Sequence, residues 1–199
     1  MKIEGKNIEA QQSHKLLGSV MAPRPVALIS TVGEDGIYNA APYSAVTPVA
    51  FKPPIVCVAS GLKQGKKKDT ANNIESSKDF VINMMAETHL KQVLEAAADY
   101  PSDVDEIKTT GLTALPADMV AAPLIAEARV SLECRLVKTV EFGSGENFRS
   151  VFFGEVLVFH VKDEILSGGN IDPARCMAFG RLNAGAYCRT TDYIKINRS

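Results

Sequence analysis

Three short segments of this chain carry residue types suited to binding a small ligand. The first is Ser60-Gly61-Leu62-Lys63-Gln64-Gly65-Lys66-Lys67-Lys68-Asp69-Thr70, which reads as the end of a strand, a turn and the start of a helix. Glycines let backbone approach a ligand, lysines bring positive charge, and a helix start offers unpaired amides in a favourable dipole, so these are the parts of a phosphate site. A P-loop would need GxxxxGK followed by Ser or Thr; here Gly61 and Gly65 stand one residue too close and Lys67 follows Lys66, which disfavours a nucleotide hydrolase. A solvated lysine turn explains the same segment equally well. The second segment is Asn39-Ala40-Ala41-Pro42-Tyr43-Ser44. Its small residues admit a flat ring, and Tyr43 and Ser44 can stack or hydrogen-bond, although the composition is ordinary for a loop. The third, Pro23-Arg24-Pro25, holds one arginine in a stiff backbone, and its simplest reading is a rigid start to a strand with the arginine exposed.

Several chemistries have no residues to carry them. GxSxG, HExxH and GxGxxG are all missing from the sequence. Cys57, Cys134, Cys176 and Cys188 are widely spaced with no CxxC pair, which speaks against zinc and iron–sulfur ligation and for structural thiols. His160 falls in the strand-like run from Phe152 to Val161, where a packed or hydrogen-bonded ring is the expected role. The acidic residues between Asp99 and Glu106 read as a solvated loop. With no nucleophile, base or acid constellation, any catalysis must draw on a cofactor.

The elements that would position these segments are mainly strands. Val26–Val32, a Gly33-Glu34-Asp35-Gly36 turn and Ile37–Ser44 read as a hairpin. Ile55–Ala59, Phe80–Met85, Arg149–Val161 and Asp192–Ile196 add further strands. In the 128–136 run, Ala128, Val130, Leu132, Cys134 and Leu136 alternate with Arg129, Ser131, Glu133 and Arg135, predicting a half-buried strand with the second set facing water. Leu90, Val93, Leu94 and Ala97 have the spacing of one buried helical stripe. A second helix is expected from Asp69 or Thr70, either of which could cap it, to about Lys78. This predicts a mainly β fold with a few helices, an antiparallel barrel edged by helices.

Size and charge set the frame. The 199 residues suit one domain, here 1–199, with no repeat or linker. Hydrophobic residues make up 46% and charged residues 23%, as in an average globular protein. The 22 basic and 23 acidic residues nearly cancel, which argues against nucleic acid. No apolar run reaches the roughly 18–20 residues needed to cross a bilayer, and the polar Met1–Ser13 stretch lacks a signal-peptide core, so a cytoplasmic protein is expected.

Taken in order, the segments resemble the flavin-reductase-like, FMN-binding split-barrel family, particularly its flavoredoxin-like branch. Pro23-Arg24-Pro25 with Val26 to Thr31, Asn39 to Ser44, and Phe51-Lys52-Pro53-Pro54 carry the likeness. So do Lys68-Asp69-Thr70 with Asn73-Ile74, and Phe80-Val81-Ile82-Asn83. Gly111-Leu112-Thr113, Leu132-Glu133-Cys134 and Gly154-Glu155-Val156 extend it, so that it covers the chain from about Gly18 onward. The resemblance implies a split β-barrel homodimer with FMN near the subunit interface. It places Tyr43, Ser44 and the Ala45 backbone along the isoalloxazine and ribityl chain, with Asn39 supporting that loop. Ser60, Lys68, Asp69 and Thr70 would surround the phosphate, and Arg24 and Asn83 would contribute further. Where the family often has Arg-Leu-Gly-Gly followed by Tyr, this chain has Arg181-Leu182-Asn183-Ala184-Gly185-Ala186-Tyr187, whose extra side chains narrow the approach to the flavin. The function implied is an oxidoreductase passing hydride from NAD(P)H to flavin and electrons onward to flavin or a redox partner protein. A flavoredoxin-like carrier without nicotinamide use and a non-catalytic flavin-binding module are the alternatives.

Overall fold

The computed structural model describes residues 2–183 and 185–196. Helix α1 (Ala10–Val20) leads into β1 (Arg24–Pro25), β2 (Ala27–Val32), β3 (Tyr38–Tyr43), β4 (Val46–Phe51), β5 (Pro54–Lys63) and β6 (Lys66–Lys67). Helix α2 (Asp69–Ser77), β7 (Asp79–Met84), α3 (Leu90–Glu95), α4 (Glu106–Thr109), β8 (Ala114–Leu115) and β9 (Leu124–Ile125) follow. The chain then runs through β10 (Val130–Phe142), β11 (Arg149–Val161), β12 (Leu166–Ser167), β13 (Asn170–Ile171), α5 (Pro173–Cys176), β14 (Phe179–Asn183) and β15 (Ala186–Arg189).

The main sheet is antiparallel, in the order β3-β2-β7-β10-β11-β5-β4, with β6 paired to β5. A second sheet, β1-β14-β15, stands beside it. The β2–β3 hairpin forms where the turn residues predict it, with Val32 opposite Tyr38 and Gly36 at φ +81°, a left-handed conformation that a glycine adopts without strain. The 13-residue strands β10 and β11 carry register shifts at Glu133/Cys134 and Leu136/Lys138, and such bulges increase twist and bend a strand. The sheet therefore curls around a core of Ile29, Val58, Ile74, Phe80, Ile82, Cys134 and Phe152. No ladder joins β3 to β4 among the described strands, so the curl is a split barrel rather than a closed one.

Glu106, read as part of a solvated loop, is buried at the start of α4, and four further expectations are corrected. Strand β10 was expected to be solvated on one face, yet Ser131 and Glu133 are buried. The residues between β8 and β9 cover that face, and Glu133 accepts hydrogen bonds from the backbone N–H of Asp118 (2.9 Å) and Met119 (2.6 Å). In α3 the buried positions are Val93 and, just beyond the helix, Ala96, while Leu94 is exposed, because the helix ends in fewer than two turns and is too short for the expected stripe. Helix α2 is capped at Lys68 with no side-chain cap bond: the Thr70 hydroxyl instead donates inward to Asn39. Residues 192–196 form no strand, and Ile194 and Ile196 lie exposed without a neighbour to pair with among the described residues. Helix α1 was not expected at all. No helix among the described residues is long and apolar enough to cross a membrane.

Candidate functional site

The exit of β3, the middle of β5 and the N-terminus of α2 meet at one wall of a cleft of about 690 Å³. That volume falls within the roughly 300–1,000 Å³ of small-molecule sites. Pro42, Tyr43, Ser44 and Ala45 line it from β3 and the turn after it, Ala59 and Gly61 from β5, and Lys68 from the cap of α2. The carbonyl of Ala45 accepts the N–H of Ala59 (2.9 Å), which fixes the turn against β5. Four further cations line the cleft: Lys15 from α1, Arg24 from β1, Arg149 from β11 and Arg181 from β14. No carboxylate occurs among the described residues that line the cleft.

Tyr43 is buried and shares a hydrogen bond of 3.3 Å with Ser60 Oγ, a side-chain contact that ties β3 to β5. Burial pushes its phenol above the usual value, with Ser60 and Thr70 opposing, so the hydroxyl stays protonated. Lys68 Nζ lies 5.5 Å from the centroid of the Tyr43 ring. Burial, and next the positive charges of Lys63 and Arg149, hold the Lys68 ammonium below its ordinary pKa. An anion beside Lys68 would relieve both effects. Arg149 reaches the cleft because Gly61, its cross-strand partner, has no side chain: a Cβ there would lie 3.0 Å from the guanidinium carbon. Its Nη1 donates to the carbonyls of Glu146 (3.2 Å) and Phe148 (2.6 Å).

Behind the wall lies a buried network. Thr70 Oγ1 donates to Asn39 Oδ1 (2.8 Å), Thr31 Oγ1 to the same oxygen (3.3 Å), and Asn39 Nδ2 to Glu106 Oε1 (2.9 Å). The N–H of Ala40 donates to Glu106 Oε2 (3.2 Å). Burial raises the Glu106 carboxyl above its ordinary pKa, against the opposing hydrogen bonds. Asn39, Asp69, Thr70 and Glu106 line a smaller cavity of about 470 Å³ that shares Pro42 and Lys68 with the cleft.

Of the residues expected at a site, the structure brings Arg24, Tyr43, Ser44, Ala45 and Lys68 to the cleft, with Ser60 hydrogen-bonded just behind Tyr43. Asn39, Asp69 and Thr70 stand on the far side of that wall. Asn83 does not join them. It is fully buried and ties the sheet together, donating to the Leu28 carbonyl (3.1 Å) and Ser30 Oγ (2.9 Å) and accepting from Ile125 N–H (3.1 Å) and Ser131 Oγ (2.8 Å). Asn183 lines the cleft as expected, while Ala184 lies outside the described residues. Sequence reasoning missed Lys15 and Arg149 as lining residues. Nothing in the local sequence marks Arg149, whose place is set by the strand pairing opposite Gly61.

His160 is hydrogen-bonded to Glu133 Oε1 at 2.6 Å, as a half-buried strand histidine was expected to be. The cysteines are unpaired, and burial raises the thiols of Cys134, Cys57 and Cys176.

Comparison with known proteins agrees with this fold. The family described as "Flavin reductase like domain" matches residues 19–176. Nitrilotriacetate monooxygenase component B from Bacillus cereus is 28% identical, with 98% of each chain covered and a TM-score of 0.93. The 2-nitrobenzoate 2-nitroreductase of Pseudomonas fluorescens is also 28% identical, covering 100% of this chain and 96% of that one at a TM-score of 0.88. Flavoredoxin of Desulfovibrio vulgaris, at 20% identity, 88% and 91% coverage and a TM-score of 0.77, shares the fold.

Proposed function

The chain belongs to the flavin-reductase-like family, and on that premise we propose that it is an FMN-dependent oxidoreductase using the basic cleft as its flavin site. The observation that carries this reading is the donor set: a cleft of the right volume, walled by small residues and Tyr43, ringed by cations and lined by no carboxylate among the described residues. That chemistry fits a planar ring bearing a phosphate. Lys68 supplies the charge for the phosphate, aided by Arg149, and Ser60 with Tyr43 shapes the wall next to it. Ser44 and Ala45 offer polar backbone edges to the ring system. Asn39 and Thr70 act from behind by holding β3 against α2.

Bound flavin supplies a two-electron acceptor for the hydride of NADH or NADPH. The protein's part is to orient the two rings and exclude water, since no acid or base is needed for that transfer. FMN should bind more tightly than riboflavin, because only FMN engages Lys68. Equal dissociation constants in a fluorescence titration would remove the phosphate assignment.

A second reading is a flavoredoxin-like carrier that takes electrons from a protein, and Asn183 favours it by occupying part of the cleft lining. Anaerobic mixing separates the two. Bleaching of bound FMN by NADH or NADPH supports the reductase, and bleaching by a chemical reductant alone supports the carrier. The relative from Bacillus cereus is one component of a monooxygenase, which supports onward delivery of the electrons to a second protein or to free flavin.

A further inference from the structure

The basic rim of the cleft divides into two cationic groups. Lys68 and Arg149 form one, the charge of Arg149 acting on Lys68. Arg24 and Arg181 form a separate pair: they are direct cross-strand partners in the antiparallel β1–β14 ladder, and both line the cleft. Cα atoms in such a pair stand about 5 Å apart, and like charges placed directly opposite are unfavourable unless something neutralises them. Nothing among the described residues does. Neither arginine takes part in any described ion pair, and the Nε of each is buried without a hydrogen-bond partner. The last turn of α1 packs close, with the Cβ position of Gly18 3.7 Å from Arg24 Nη2, yet no described hydrogen bond runs from the guanidinium to it. A buried polar atom left unpaired is costly, and on two cross-strand arginines it marks a pair whose hydrogen-bonding capacity the described residues leave unused.

We propose that Arg24 and Arg181 form a second anion subsite that grips the diphosphate of a dinucleotide. This rests on the reading of the cleft as a flavin site, with the FMN phosphate at Lys68. Guanidinium forks match phosphate oxygens in bidentate fashion, and two side by side match two linked phosphoryl groups better than one. The diphosphate can come from the nicotinamide dinucleotide that reduces the flavin or from FAD taken in place of FMN. Arg24, expected beside FMN from the sequence, is thereby assigned to the second anion.

Calorimetry on the wild-type apoprotein with inorganic diphosphate is the first test, followed by Arg181→Gln and Arg24→Gln. The wild type should bind diphosphate, and each variant should lose about tenfold or more in affinity. Arg181→Lys, which keeps the charge without the fork, should fall between, and circular dichroism checks that each variant folds. With FMN-loaded protein, Arg181→Gln should raise the KM for NADH or NADPH about tenfold while the FMN dissociation constant holds. A loss confined to FAD binding, with FMN and nicotinamide unaffected, upholds the subsite and assigns the diphosphate to flavin dinucleotide. Weakened FMN binding with riboflavin unaltered overturns the proposal, because the pair would then serve the FMN phosphate. Diphosphate binding that is absent from the wild type, or unchanged in both variants, overturns it too. If the wild type binds no FMN, the flavin reading fails separately, and the calorimetric arm still reports on the arginine pair.

Discussion

At the residue scale, Lys68 and Thr70 are neighbours with different tasks. Lys68 sits in the cleft, partly desolvated and pressed by like charges, so its ammonium gains most from an anion. Lys68→Met should weaken FMN binding roughly 10- to 100-fold, since hydrogen bonds to charged groups contribute about 1.5–3 kcal/mol. Riboflavin affinity should stay the same, and parallel fluorescence titrations of the two ligands check this. The Thr70 hydroxyl donates to Asn39, behind the wall. Thr70→Ala should therefore cost folding stability, about 1–2 kcal/mol in urea denaturation, while Thr70→Ser, which keeps the donor, restores most of it. A Thr70→Ala protein of unchanged stability would show that the bond to Asn39 contributes little.

At the element scale, the 13-residue strand β10 is held on its second face by a carboxylate. Burial alone would raise the Glu133 pKa, but the N–H of Asp118, the His160 ring and the N–H of Met119 together hold it below the ordinary value. A carboxyl whose folded pKa is depressed stabilises fully above its unfolded pKa and loses that contribution as pH falls through the folded one. Glu133→Gln should thus lower stability at neutral pH by about 1–3 kcal/mol and flatten the decline below about pH 4.5. Thermal unfolding midpoints of both proteins between neutral and acid pH measure the two effects; parallel curves would dissociate Glu133 from the acid limb. Strand β14 offers the counterpart at the cleft. Asn183→Gly should speed anaerobic flavin reduction by NADH or NADPH if the side chain narrows the approach, and an unaltered bleaching rate assigns it no such role.

At the scale of the whole molecule, exposed apolar side chains gather on α1 (Leu16, Leu17, Val20) and on β4 (Val49 and Phe51, the latter 86% exposed). Exposed apolar surface of this kind supports the homodimer implied by the family resemblance. Sedimentation should give a dimer, and Phe51→Glu should shift it toward monomer. Because a ligand that binds only the native state stabilises it by mass action, FMN at about 100 times its dissociation constant should add about 2.7 kcal/mol. If flavin lies against both subunits, the Phe51→Glu variant should lose FMN affinity together with dimerisation. A monomer that holds FMN as tightly as the wild type would separate the two.

The hairpin at Gly36, helix α2 and the extent of β11 were legible in the sequence because each is set by local chemistry: a turn that needs a left-handed residue, an acidic residue and a threonine at a helix start, an apolar alternation between polar ends. Lys68, Tyr43 and Ser44, from short segments whose residue types suit a ligand, line one cleft. What the sequence alone could not decide is which distant residues share a face. The alternation in β10 predicts Glu133 in water, and only the coverage by the chain between β8 and β9 turns that face inward. The family resemblance implied a contribution from Asn83 to the site, but its four hydrogen bonds commit it to the sheet interior. Arg149 opposite Gly61 and Arg181 opposite Arg24 are products of strand register. Register depends on pairing across many residues of intervening chain, and a shift of one residue would turn each of these side chains to the other face of its sheet.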